Sequence, residues 1–407
     1  VTMRSLPGSP QRSHQLLAAL ICMVAASSPQ YVWTLFTPAL HRDLGVSLPK
    51  LQVTFSLVIV VQTLFSPIQG WIGRHVKPSL LIGAGSLITG LSWMTAGQAR
   101  TLAELYLTYG VLGGIGTGIV YVGVVSLLMG WFPERRGFAA GVAAAGYGMG
   151  AMITTFPVAH VVQQDGYRTA LTVFGAIIGI VGLGAACFLR RPPDGCETAT
   201  LSLPASHVLK TPVFWLMFFM MATMATSGLM VTSQLAQIAA DHGVAHLTIL
   251  GLAALPLAMT LDRIANGLTR PLFGLVSDHI GREETMAIAF GAEAIALIAW
   301  ISLAHDPVWF VLLSGVVFLG WGEIFSLFPA TLTETFGTQD ASRNYGLLYL
   351  SQGLGAVFGG PLAAWLHQSS GSWTPVFAIA VGGDVLTAVL AITALRPLRR
   401  AYRARRP

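Results

Sequence analysis

Gly116-Thr-Gly-Ile-Val-Tyr121 and Gly320-Trp-Gly-Glu-Ile-Phe325 stand 204 residues apart. The same offset carries Ser66-Pro-Ile-Gln-Gly70 onto Arg270-Pro-Leu-Phe-Gly274, Phe132 onto Phe336 and Gln30 onto Gln234. The matches fall in several different pairs of apolar runs and the loop beside one pair, all at one offset, which argues for an internal duplication over a chance alignment of a few glycines. A transmembrane helix needs about 20 mostly apolar residues. Twelve runs qualify, at 14–38, 51–71, 78–98, 102–131, 137–162, 168–189, 212–238, 246–273, 285–304, 307–334, 342–367 and 373–395. With six runs in each copy, the copies share topology and are related by an axis along the membrane normal, a geometry that places a solute site near the midplane. The expected fold is all-α: two six-helix pseudo-symmetric bundles, 1–190 and 212–407, joined by a linker at 191–211.

Composition supports the same reading. Of 407 residues, 54% are hydrophobic and 10% charged, with mean hydropathy +0.68. A soluble domain carries about 25% charged residues, so this chain has too few to solvate its surface, and its natural partner is the lipid bilayer. The net charge of +6 does not point to nucleic acid, because the basic residues sit in short clusters between apolar runs, as the positive-inside rule requires. One face collects 17 of the 23 Lys and Arg, from Arg4 to Arg406; the other holds Arg42, Lys50, Arg100 and Arg168; Arg263 and Arg270 fall inside a span. The bias places both termini in the cytoplasm, in the inner membrane if the source is bacterial. The first run is too long for a signal-peptide core. Cys22, Cys187 and Cys196 show no disulfide or metal spacing.

The glycine-rich stretches Gly113–Gly118, Gly146–Gly150 and Gly353–Gly360 lack the strand and the Lys-Ser/Thr of a phosphate cradle. They suit close helix approach. No catalytic constellation is apparent, so no enzyme, metal or cofactor is expected.

Gly274-Leu-Val-Ser-Asp278-His-Ile-Gly281-Arg282 resembles the signature loop of the major facilitator superfamily. The resemblance implies a gating role for Gly274, Asp278, Gly281 and Arg282. The loop Gly70-Trp-Ile-Gly-Arg74-His-Val-Lys-Pro78 holds the equivalent place in the first half, but Arg74 stands where the pattern has an aspartate. Within that superfamily the chain is similar to the oxalate/formate antiporter family, related to monocarboxylate transporters. The similarity rests on Gln30-Tyr-Val-Trp-Thr34, Trp131-Phe-Pro-Glu-Arg-Arg-Gly137, Ala145-Gly-Tyr-Gly148, Asn266-Gly-Leu-Thr-Arg-Pro271, Leu327-Phe-Pro329 and Arg343-Asn-Tyr-Gly346, in order and at compatible spacing. It implies a secondary transporter of small organic anions working by alternating access, functional as a monomer.

Arg270 is the leading site residue. It lies eight residues before Asp278, about 12 Å into the membrane, where an arginine is costly and must face a cavity or a partner. Its planar fork matches a carboxylate bidentately. Its repeat partner is Ser66, so the charge belongs to one half only. Asp262, Asn266 and Arg270 are spaced by four and climb one helix face, which leaves two readings of Asp262: a counter-charge for an arginine or a proton-coupling carboxylate. Arg263 is expected to point about 100° from Asp262. Glu323 is a second proton-coupling candidate, and Glu293 and Asp384 also fall within apolar spans. The resemblance implies that Tyr31, Trp33, Tyr121, Tyr147, Trp321 and Tyr349 line the substrate chamber. It also implies a cation on the eleventh span, where this chain has Gln352; no lysine occurs in any span. One arginine beside an amide suits one carboxylate, so a preference for monocarboxylates over oxalate is expected. Proton-coupled symport of lactate- or pyruvate-type acids is the alternative mechanism, and a non-transporting receptor on the same scaffold is the alternative of another class.

Overall fold

The computed structural model describes residues 9–132, 136–192, 205–337 and 341–404. Its helices alternate in direction. The first, α1, runs Ser9–Tyr31, breaks at Val32 and resumes as Trp33–Leu44. Then come α2 (Leu48–His75), α3 (Pro78–Ala96), α4 (Leu102–Trp131), α5 (Arg136–Gln164) and α6 (Tyr167–Ala186). The second half contains α7 (Pro212–Asp241), α8 (Ala254–Ile280), α9 (Arg282–Leu303), α10 (Pro307–Phe336), α11 (Ala341–Ser370) and α12 (Thr374–Ala404). Most of the expected linker, together with Cys196, lies outside the described residues.

Among the described residues, eleven helices are long and apolar enough to cross a membrane. The twelfth, α8, has the length at 27 residues but carries Asp262, Arg263 and Arg270 along it. The helix whose apolar run is broken by these charges is thus the one that bears the expected site. Two features went unforeseen. A two-stranded hairpin, β1 (Thr248–Ile249) and β2 (Leu252–Ala253), occupies the start of the expected eighth span, with Leu250 at φ 52° and 99% exposed. In α10, the helix is interrupted at Gly322–Glu323.

Lipid-facing positions stay apolar: Leu80, Leu107, Ile180 and Ile295 project outward, as they must where no water can solvate a polar group. The expected close approaches are realised within the halves. A Cβ on Gly90 would lie 2.5 Å from the Gly175 carbonyl, and one on Gly116 2.6 Å from the Thr89 nitrogen. Between the halves, α2 packs on α11 and α5 on α8. The repeat interchanges these two pairings, as two copies related by an axis between them require.

Candidate functional site

The four-residue spacing on α8 brings Asn266 and Arg270 together. Arg270 Nη2 donates to Asn266 Oδ1 at 3.0 Å and Nε donates to the Asn266 carbonyl at 3.3 Å. The third contact crosses the interface: Nη1 donates to the Ala144 carbonyl of α5 at 2.5 Å. α5 can come this close because Gly148 faces the pair; a Cβ there would meet Asn266 Oδ1 at 2.8 Å and Arg270 Nη2 at 3.0 Å. Arg270 is 2% exposed, so the chamber is closed around it in this conformation. The upper rung of the expected ladder is not formed. Both Asp262 oxygens and the Asn266 amide nitrogen have no hydrogen-bond partner.

Aromatic side chains enclose the guanidinium from both halves. The Arg270 fork lies 4.5 Å from the Phe325 ring centre, a cation–π distance. Phe325 contacts Tyr349 at 6.3 Å, Tyr349 stacks on Tyr121 at 5.5 Å, Tyr121 meets Tyr147 at 5.0 Å, and Tyr147 meets Tyr31 at 5.6 Å. The Tyr147 hydroxyl donates to Gln30 Oε1 at 3.2 Å, with Gln62 Oε1 at 3.5 Å. Of the expected lining residues, Tyr31, Tyr121, Tyr147 and Tyr349 therefore form one continuous wall. Trp321 stands one ring further out: it packs on Phe325 at 5.8 Å and donates Nε1 to the Met224 carbonyl of α7 at 3.1 Å. Trp33 is elsewhere. Its ring lies 4.8 Å from Tyr109 and its Nε1 donates to Gln52 Oε1, while Gln52 Nε2 donates to the Ser233 carbonyl of the other half. Trp33 thus supports the seam between halves, away from Arg270. Gln352 is 1% exposed on α11 and its Oε1 has no partner.

Arg263 was underrated by the sequence reading. Its guanidinium lies 4.2 Å from the Tyr31 ring centre and 4.5 Å from Phe318, in the same aromatic enclosure as Arg270. The signal was present: seven residues span 700°, within about 20° of two full turns, so Arg263 and Arg270 share a face. Asp262, its sequence neighbour, attracts it but does not bridge to it; the Arg263 Nε and Nη1 have no partner. Phe325 was also missed, although the repeat sets it opposite Tyr121.

The second-half signature loop is built as a charged knot. Gly281, at φ 106°, turns the chain between α8 and α9. Arg282 pairs with Asp278 at 2.5 Å and with Glu334 of α10 at 2.9 Å, and its Nη1 donates to Ser277 Oγ. Arg399 of α12 extends the knot to Glu283 at 2.6 Å and Glu334 at 3.0 Å. Gly274 contributes its carbonyl to Arg282 at 3.4 Å. The knot therefore ties α8 to α9, α10 and α12 at the end of the bundle that carries the termini. The Arg74 side chain lies outside the described residues.

Two bundles related by a duplicated topology, closed around a buried arginine at their interface, define a secondary-transporter architecture. The chain belongs to the major facilitator superfamily, whose sequence profile matches residues 16–261 and 247–407. It is 31% identical over 372 residues to the oxalate:formate antiporter of Oxalobacter formigenes, covering 89% of this chain and 87% of that protein. It is 25% identical to bovine monocarboxylate transporter 13, covering 80% and 75%. The fold matches a crystal structure of a bacterial homologue of the human lysosomal transporter Spinster, inward-facing and unoccupied, with TM-score 0.64 and 16% identity over 97% of each chain.

Proposed function

We propose that this protein carries small organic anions across a bacterial inner membrane by alternating access, in the manner of an oxalate/formate antiporter, and favours monocarboxylates. The observation that carries this reading is Arg270: a buried guanidinium at the meeting of the two halves, ringed by aromatic side chains and hydrogen-bonded to neutral groups, the Asn266 amide and the Asn266 and Ala144 carbonyls. A carboxylate entering the chamber supplies the charge that the Ala144 carbonyl cannot. An emptied chamber leaves that cation unpaired, and burying an uncompensated charge costs several kcal/mol. The loaded protein therefore crosses between faces more readily than the empty one, which favours exchange.

Charge counting supports the monocarboxylate preference. Arg263 has the neighbouring Asp262 to offset it, which leaves Arg270 as the uncompensated cation. Gln352 donates hydrogen bonds but no charge. A monocarboxylate balances Arg270, while an oxalate dianion leaves about one buried negative charge over.

Counterflow in proteoliposomes against formate, oxalate, lactate and pyruvate tests the assignment. Preloaded formate is expected to drive uptake of labelled monocarboxylate; no counterflow with any of the four acids overturns the reading. Symport is the second reading, favoured by Asp262, which is fully buried without a hydrogen bond. An imposed inward proton gradient then drives net uptake without internal anion. Both termini are expected to face the cytoplasm, so tags at either end should resist labelling in intact cells.

A further inference from the structure

Three carboxyl groups lie inside the second half with no cation near them among the described residues. Glu293 is on α9, Glu323 sits in the break of α10, and Asp384 is on α12; each is at most 1% exposed. None of their six oxygens has a hydrogen-bond partner. They act electrostatically on one another: Glu293 interacts with both Glu323 and Asp384, and Glu323 with Asp384. Hydroxyls complete the cluster. Ser227 of α7 faces Asp384, and Thr387 lies one turn along α12; both are buried and both hydroxyls are unpartnered.

Among the described residues, the surrounding helices offer no counter-charge. α8 carries Asp262, Arg263, Arg270 and Asp278; Arg263 lies between Tyr31 and Phe318, and Arg270 is directed to Ala144 and Asn266. α7 has Asp241 and α11 has His367 at the far end, where they pair with each other. At the other end, Arg282, Arg396 and Arg399 are taken by Asp278, Glu283, Glu284 and Glu334. None of these groups acts on Glu293, Glu323 or Asp384.

We propose that Glu293, Glu323 and Asp384, with the Ser227 and Thr387 hydroxyls, form a proton-binding site in the second half, separate from the Arg270 chamber. Three ionised carboxylates buried this deeply, with no cation beside them, face a desolvation cost that the Ser227 hydroxyl near Asp384 offsets only in part. Neutralisation by bound protons removes both that cost and the mutual repulsion. Among the described residues no group of His, Cys, Asp or Glu side chains is set to hold a metal ion. The site is well placed to report on the rest of the fold. A Cβ on Gly320 would lie 2.6 Å from Glu293 Cβ, and one on Gly322 would lie 2.6 Å from the Asn266 carbonyl, so the α10 break bridges the carboxyl cluster and the turn of α8 that leads to Arg270.

Infrared difference spectroscopy on the purified full-length protein in liposomes tests this without any transported anion, so its outcome is independent of the transport reading. The wild type at neutral pH should show the carbonyl band of protonated carboxylic acids. Glu293→Gln, Glu323→Gln and Asp384→Asn should each remove a share of it, while Asp262→Asn should leave those shares in place. Near-isosteric amides keep the single variants folded if the combined variant is not. A wild-type spectrum without the band, or a band unchanged in all three single variants, overturns the proposal. A band that sodium ions abolish at constant pH also overturns it, because the resident ligand is then a metal cation.

Discussion

The two halves share one topology but not one chemistry. Among the described residues, every buried charged side chain lies in the second half: Asp262, Arg263, Arg270, Glu283, Glu293, Glu323, Asp384 and Arg399. The first half buries glutamines, serines and threonines in their place, and sets Ser66 where the repeat has Arg270. Its contribution to the chamber is a carbonyl, a glycine and three tyrosines: Ala144, Gly148, Tyr31, Tyr121 and Tyr147. Duplication supplied the scaffold twice, and among the described residues charge was buried in one copy only. The lesson is mechanical. On the proposed function, a half without buried charge can move over a charged one with little change in its own electrostatic energy, which concentrates the cost of switching around Arg270.

The largest effect should follow from erasing that asymmetry. Arg270→Ala makes this position as neutral as its repeat partner Ser66, and anion binding should fall by about 3–5 kcal/mol, more than a hundredfold. Arg270→Lys keeps the charge but loses the fork, and should bind weakly where the alanine variant does not bind. Ligand binding to purified protein checks both, and normal affinity in Arg270→Ala removes the site assignment.

Adding a charge sharpens the comparison from the other side. Gln352→Lys should shift selectivity from formate toward oxalate by about ten- to a hundredfold, since a hydrogen bond to a charged group contributes about 1.5–3 kcal/mol. Competition by the two acids against a labelled substrate measures the ratio. Tight oxalate binding by the wild type, unchanged in the variant, would show that Gln352 does not set charge selectivity.

The seam between the halves should respond next. Gly148→Ala drives a methyl group to within 2.8 Å of Asn266 Oδ1, and overpacking of this kind costs about 1–3 kcal/mol. The closed arrangement should lose that much relative to states in which α5 and α8 part. Cysteine pairs across α5 and α8 should therefore cross-link more slowly, and an unchanged rate would mean that Gly148 does not gate the approach. The smallest effect belongs to the first half alone. Tyr147→Phe loses the hydrogen bond to Gln30 at 3.2 Å, worth about 0.5–1.5 kcal/mol, and should lower thermal stability modestly while anion binding persists.

The sequence alone determined the architecture, because the quantities that decide it are local or periodic: runs of apolar residues, their number, the basic residues between them, and one offset of 204 residues. It also singled out Arg270 and its rung to Asn266, since a four-residue spacing on a helix fixes a face before anything packs against it. It did not separate Trp33 from the tyrosines. All five aromatics occur at matching family positions, and only packing shows that Trp33 turns toward Tyr109 and Gln52. Arg263 was legible through its seven-residue spacing, but whether it pairs with Asp262 or lies against Tyr31 depends on helices distant in sequence. The same holds for Glu293, Glu323 and Asp384. Each was visible as a costly residue in an apolar run, yet their convergence on three different helices with no cation among them is a fact of tertiary structure, because electrostatic energy in a low-dielectric interior is set by distances through space and not along the chain.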